Sequence, residues 1–131
     1  MLAALTRAVR TRLTAVGYPP ITRRHVDEEL DARGPLVGVY AIGQTTDELG
    51  ITRAEVELEI YVWLDVDDSD VDALDVADAI VEAAFPAGEL LDVGTCTTAL
   101  GIPSMTLDLQ DASSDLARVR YTLTASEYRG F

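Results

Sequence analysis

Between residues 55 and 66 the chain reads E-V-E-L-E-I-Y-V-W-L-D-V, and apolar and polar positions alternate without a break. Val56, Leu58, Ile60, Val62, Leu64 and Val66 share one parity; Glu55, Glu57, Glu59, Tyr61, Trp63 and Asp65 share the other. Successive side chains of a strand point to opposite faces, so this period of two predicts a half-buried strand. Its β-branched and aromatic content agrees. Burial of six aliphatic side chains at ~1.5–3 kcal/mol each amounts to roughly 9–18 kcal/mol, an upper bound because unfolded chains already bury some surface. The second face changes from three glutamates to Tyr61 and Trp63. That aromatic pair is either covered by a second layer of the same domain or offered to a partner.

The remaining elements follow from the same patterning. Leu2, Leu5, Val9, Leu13 and Val16 are spaced as one stripe of an amphipathic helix, and Gly17 before Tyr18-Pro19-Pro20 predicts its end. Residues 21–34 show no period and predict a solvated loop. A short strand is expected over residues 36–42, then a polar loop over residues 44–53 that is long for a hairpin connection. A second helix is expected over residues 71–85. Ser69 and Asp72 resemble a capping box at its start, Leu74, Ala77, Ile80, Val81, Ala84 and Phe85 form its buried stripe, and Asp72, Asp75, Asp78 and Glu82 its wet face. Residues 89–103 are ambiguous: Leu90, Leu91 and Val93 offer a short strand and residues 95–98 a loose continuation, which Gly101 and Pro103 break. Met105, Leu107 and Leu109 alternate as a strand, residues 111–115 predict a turn, and residues 118–125 a closing strand that brings Arg118 or Arg120 opposite Asp108. The expected fold class is therefore α+β: one domain over residues 1–131, in the order α-β-β-α-β-β. An antiparallel sheet of four to five strands carries two helices packed on one face.

Composition narrows the function classes. The chain has ten arginines, no lysine and 23 acids, for a net charge of −13. Residues 1–33 hold six arginines against four acids, and the rest of the chain is strongly acidic. Such a body lacks the basic stripe of a nucleic-acid groove. No apolar run is long enough to span a membrane, and Arg7, Arg10 and Arg12 interrupt any secretory signal, so an intracellular protein with no membrane partner is expected. Cys96 and His25 are single, which argues against an internal disulfide and a soft-ligand zinc site. The acids from Asp65 to Asp72 invite a calcium-loop reading, but Asp70 stands where the loop needs glycine and Val76 where it needs a bidentate glutamate. Neither a metal site nor a cofactor site is expected. No nucleotide-binding glycine motif, nucleophile elbow or zinc-protease motif occurs. With no catalytic residues to nominate, the chain is expected not to be an enzyme.

Several local patterns taken together resemble a known family. They are L-x-x-A-V-R-x-R-L at residues 5–13, Tyr18-Pro19-Pro20, L-V-G-V at 36–39, V-W-L-D at 62–65, A-L-D-V-A-D-A-I at 73–80 and R-V-R-Y-T-L-T-A at 118–125. In this order they are similar to the tail terminator (tail completion) proteins of long-tailed phages and related archaeal viruses. The resemblance implies a structural virion protein, assembled in the host cytoplasm and located at the head–tail interface. It would form a homo-oligomeric hexameric ring that caps the tail tube protein and meets a head-closure or neck protein. Genomic DNA would pass through without specific binding, which an acidic lumen favours by like-charge repulsion. The expected subunit or tube contacts are Tyr61 and Trp63 together with Thr45, Thr46, Asp47, Glu48 and Leu49 of the polar loop. Two alternatives remain: another neck component such as a head-closure or connector protein, or a small cytoplasmic α+β module that binds a regulatory ligand between sheet and helices.

Overall fold

The computed structural model describes residues 1–21, 34–64, 69–94, 97–101, 104–109 and 116–128. The order is helix α1 (Leu2–Ala15), strands β1 (Leu36–Thr46) and β2 (Ile51–Trp63), helix α2 (Asp70–Ala84), two-residue strands β3 (Leu91–Asp92) and β4 (Thr97–Thr98), then β5 (Ser104–Leu109) and β6 (Leu116–Tyr128). It is the α+β fold that the patterning predicts. The main sheet is antiparallel with strand order β1-β2-β6-β5, while β3 and β4 form a small ladder of their own. His25, Cys96 and the acids Asp65, Asp67 and Asp68 lie outside the described residues, as does the turn expected over 111–115.

The two 13-residue strands β2 and β6 pair along their whole length, Ile51 with Tyr128 through Trp63 with Leu116. Both occupy the centre of the sheet. Even-numbered β2 residues and odd-numbered β6 residues face the helices, and Val56, Leu58, Ile60, Val119, Leu123 and Ala125 are buried there. Helix α1 adds Leu5, Val9 and Leu13, all fully buried, while Leu2 and Val16 at its ends are half-buried. The helix stops where glycine allows it to. Gly17 takes φ +95°, its N–H donates to Thr14 O at 3.1 Å, and the Tyr18 N–H donates to Leu13 O at 2.9 Å. This pair of bonds is the Schellman arrangement, which satisfies end carbonyls and favours a residue free of a Cβ.

Helix α2 sits differently from its sequence pattern. Ala73, Ala77, Ile80 and Ala84 are buried, whereas Leu74, Val81 and Phe85 are only half-buried. The small alanines let the helix approach the sheet, and the larger apolar residues flank that line. The expected acidic face is exposed, and the Ser69 N–H donates to the Asp72 carboxylate at 2.7 Å as in a capping box. Leu64, expected in the core, lies just past the end of β2 and is half-buried.

The expected polar loop at residues 44–53 is a correction. Strand β1 continues to Thr46 and β2 begins at Ile51, so Gln44, Thr45 and Thr46 pair with Ala54, Arg53 and Thr52. Only residues 47–50 turn. The Asp47 carboxylate accepts the N–H groups of Leu49 (2.9 Å) and Ile51 (3.0 Å), and Gly50 takes φ +80°. An aspartate that bonds the backbone ahead of it and a left-handed glycine are the ingredients of a tight hairpin turn. β-branched threonines on both sides extend the ladder, with Thr46 and Thr52 hydroxyls 2.8 Å apart. A polar composition hid a pair of strands.

Strand β1 is an edge strand, and its outer side is partly covered. The Ile21 N–H donates to Val37 O at 2.8 Å, and Arg10 of α1 donates to Val39 O at 2.9 Å. A bulge between Ala41 and Gly43 then bends the strand. These devices reduce the pairing tendency of an edge. Gly38 has a separate purpose: a Cβ built there would stand 2.5 Å from the Tyr40 hydroxyl oxygen, because the Tyr40 ring lies across it. Gly38→Ala is therefore expected to displace that ring at a cost of about 1–3 kcal/mol. In a Tyr40→Ala background the same change is expected to cost much less, which urea midpoints of the two single variants and the double variant would measure.

Candidate functional site

The sheet face opposite the helices carries a row of charged and aromatic side chains. It is built from Glu55, Glu57, Glu59, Tyr61 and Trp63 of β2 and Leu116, Arg118, Arg120 and Thr122 of β6. Direct cross-strand partners are Glu59 with Arg120 and Tyr61 with Arg118. The ion pairs run diagonally instead, Arg118 to Glu59 at 3.7 Å and Arg120 to Glu57 at 3.8 Å. Diagonal neighbours on a sheet face are within reach of long side chains. Glu57 and Glu59 are thus engaged across β6, which sequence alone did not place beside β2. The ladder does pair Asp108 with Arg118, as expected.

Glu59 is 6 % exposed. A carboxylate so buried needs partners, and it has them in Arg118 and in the Tyr61 hydroxyl, which donates to Glu59 Oε2 at 2.8 Å. Tyr61 is itself 6 % exposed, so it is not the open aromatic surface expected. Leu36 and Arg118 flank it in the register, and Leu116 stands opposite Trp63. Trp63 is half-buried. Burial first, and then the bond to Glu59, push the Tyr61 phenol up to about 12. On the helix face, burial and a 2.6 Å bond to Asp78 Oδ1 push Tyr121 up as well.

Both folded values lie above that of an unfolded tyrosine, about 10. The stability they lend is complete below pH ~10 and is lost as pH rises through the folded values. Denaturant midpoints are therefore expected to fall from about pH 10 upward, and Tyr61→Phe to show a shallower fall. An equal slope in the variant would mean that Tyr61 is not coupled to Glu59.

The other expected contact residues sit at the far end of the same ladder. Thr45, Thr46, Glu48 and Leu49 are exposed, Leu49 at 70 %. Asp47 is occupied in holding the turn, and the hydrogen bond from Arg53 at 2.9 Å is the main reason its carboxyl lies below the usual range. From Thr52 to Tyr61 is nine residues of strand, roughly 30 Å at ~3.4 Å per residue. The structure therefore separates the expected contact residues into two patches and does not gather them into one. Exposed Tyr128, at 74 %, joins the turn end by pairing with Ile51. Its place there came from the β2–β6 register, which no local signal announced.

A third feature was not expected residue by residue. A cavity of about 500 Å³ lies on the helix face, between the C-terminal half of α2, the stretch Ala99–Gly101 and β6. Val81, Phe85, Leu91, Leu100 and Leu123 make its apolar walls, and Asp78, Glu82, Glu89, Arg12 and Tyr121 its polar ones. Its size is within the range of small-molecule sites. Among the described residues no group of three His, Cys, Asp or Glu side chains is placed to hold a metal ion, and no helix is long and apolar enough to cross a membrane. No protein-family model matches the chain, and no curated protein matches it.

Proposed function

We propose that this chain is a tail terminator subunit, working as a member of a hexameric ring that caps a tail tube and joins it to the neck at the head–tail interface of a virion. Its work in this reading is mechanical and not enzymatic. The observation that carries the proposal is the separation of two contact patches along one continuous ladder. A ring closes through head-to-tail contacts, in which one patch of a subunit meets a different patch of the next. The exposed turn end with Thr45, Thr46, Glu48 and Leu49 and the opposite end at Trp63 supply two such patches, separated by the eleven residue steps of strand from Thr52 to Trp63, roughly 37 Å. The helix–strand–strand–helix order, closed by a long final strand, also agrees with the resemblance in the sequence. A net charge of −13 suits a channel that duplex DNA traverses without adhering.

The test is electron microscopy of the protein mixed with its own tail tube protein. Rings of six at the tube end, and tubes that stop lengthening, are expected. Charge reversal at Glu48 together with Leu49→Asp is expected to abolish capping while leaving the fold intact, because both side chains point into solvent. Attachment to the portal side of isolated capsids only would transfer the assignment to a head-closure protein. Binding to neither would overturn the proposal.

A further inference from the structure

We infer that the cavity beside Tyr121 is a binding site for a small organic cation, with an apolar body of one ring or a short chain and a single protonated amine. The inference is independent of the ring proposal. The walls are apolar on α2, on β6 and on the stretch Ala99–Gly101, so a hydrocarbon body gains by entering. The polar groups are of nearly one sign. Asp78 and Glu82 stand one helical turn apart on α2, and both line the cavity with Glu89. The guanidinium in the lining belongs to Arg12, which is paired with Glu89 at 2.9 Å. The Tyr121 hydroxyl is directed to Asp78 Oδ1 at 2.6 Å, which holds that carboxylate at the apolar wall. The Glu82 side chain has no hydrogen bond or ion pair among the described residues.

Like charges four residues apart on a helix repel, and a cation seated between them removes that repulsion. An anion of the same shape meets it in full. Complementarity of charge therefore selects the amine, and complementarity of surface selects its body.

The probe is phenethylamine, compared by calorimetry with 3-phenylpropionate, which carries a carboxylate on a similar skeleton. Saturable one-to-one binding of the amine is expected, at least about tenfold tighter than the carboxylate. Asp78→Asn combined with Glu82→Gln is expected to remove that preference. Ala99→Phe, a substitution at an exposed lining position, is expected to block the amine with helix content unchanged. Equal binding of the two probes by the parent protein, no saturable binding of the amine up to about 10 mM, a preference for the amine that persists in the Asp78→Asn, Glu82→Gln variant, or amine binding that persists in Ala99→Phe would overturn the inference. Tube capping is read separately, so the two proposals succeed or fail independently.

Discussion

Ile60→Ala is expected to lower stability by ~2–5 kcal/mol, the range for truncating a large aliphatic side chain in a packed core. Ile60 is fully buried at the centre of the sheet, paired with Val37 on one side and Val119 on the other, so the void has little room to collapse. A stability of 5–15 kcal/mol is usual for a domain, so this one change removes a large share of it. Leu64→Ala supplies the contrast. Leu64 lies beyond the strand end and is half-buried, and its truncation is expected to cost less than half as much. Urea denaturation followed by circular dichroism measures both. Equal midpoints for Ile60→Ala and the parent would remove β2 from the core.

Glu59→Ala is the second large effect. It takes the acceptor from the Tyr61 hydroxyl and a carboxylate from Arg118, on a face where Glu59 is 6 % exposed. Breaking a buried pair by removing one partner costs ~3–5 kcal/mol when water is excluded. The Arg118 side chain is 22 % exposed, so water relieves part of that loss and about 2–3 kcal/mol is expected. Glu59→Gln keeps an acceptor for Tyr61 and is expected to cost less. A second signature separates the pair from simple packing: Tyr61 loses the partner that helps raise its phenol, so its alkaline titration is expected to move down toward the ordinary tyrosine value. An unmoved titration in Glu59→Ala would mean that the hydroxyl is held by something else.

Much of the architecture was legible in the sequence. The unbroken alternation around Ile60, the stripe Leu5-Val9-Leu13 and the end signal at Gly17 are local patterns that depend only on whether side chains repeat every two or every 3.6 residues. They determined the helices, the long strand, the α+β class and most of the core. Sequence also spoke against the common catalytic motifs, because those depend on residue types at fixed spacings. It did not determine which strand lies beside which. The pairing of β2 with β6 joins residues more than fifty positions apart, and that register turns Glu57 and Glu59 from solvated acids into partners of Arg120 and Arg118. The turn at Asp47–Gly50 was hidden for a related reason. Threonines suit a loop and a strand equally by polarity, and only the opposing strand selects between them. Helix α2 shows the same limit in packing, since its one apolar stripe did not say which of its residues lie nearest the sheet, and the close approach selected the alanines and Ile80. The cavity at Tyr121 is tertiary throughout. Its walls come from four separate stretches of chain, and no one of them carries a period, a motif or a charge pattern that marks the space between them.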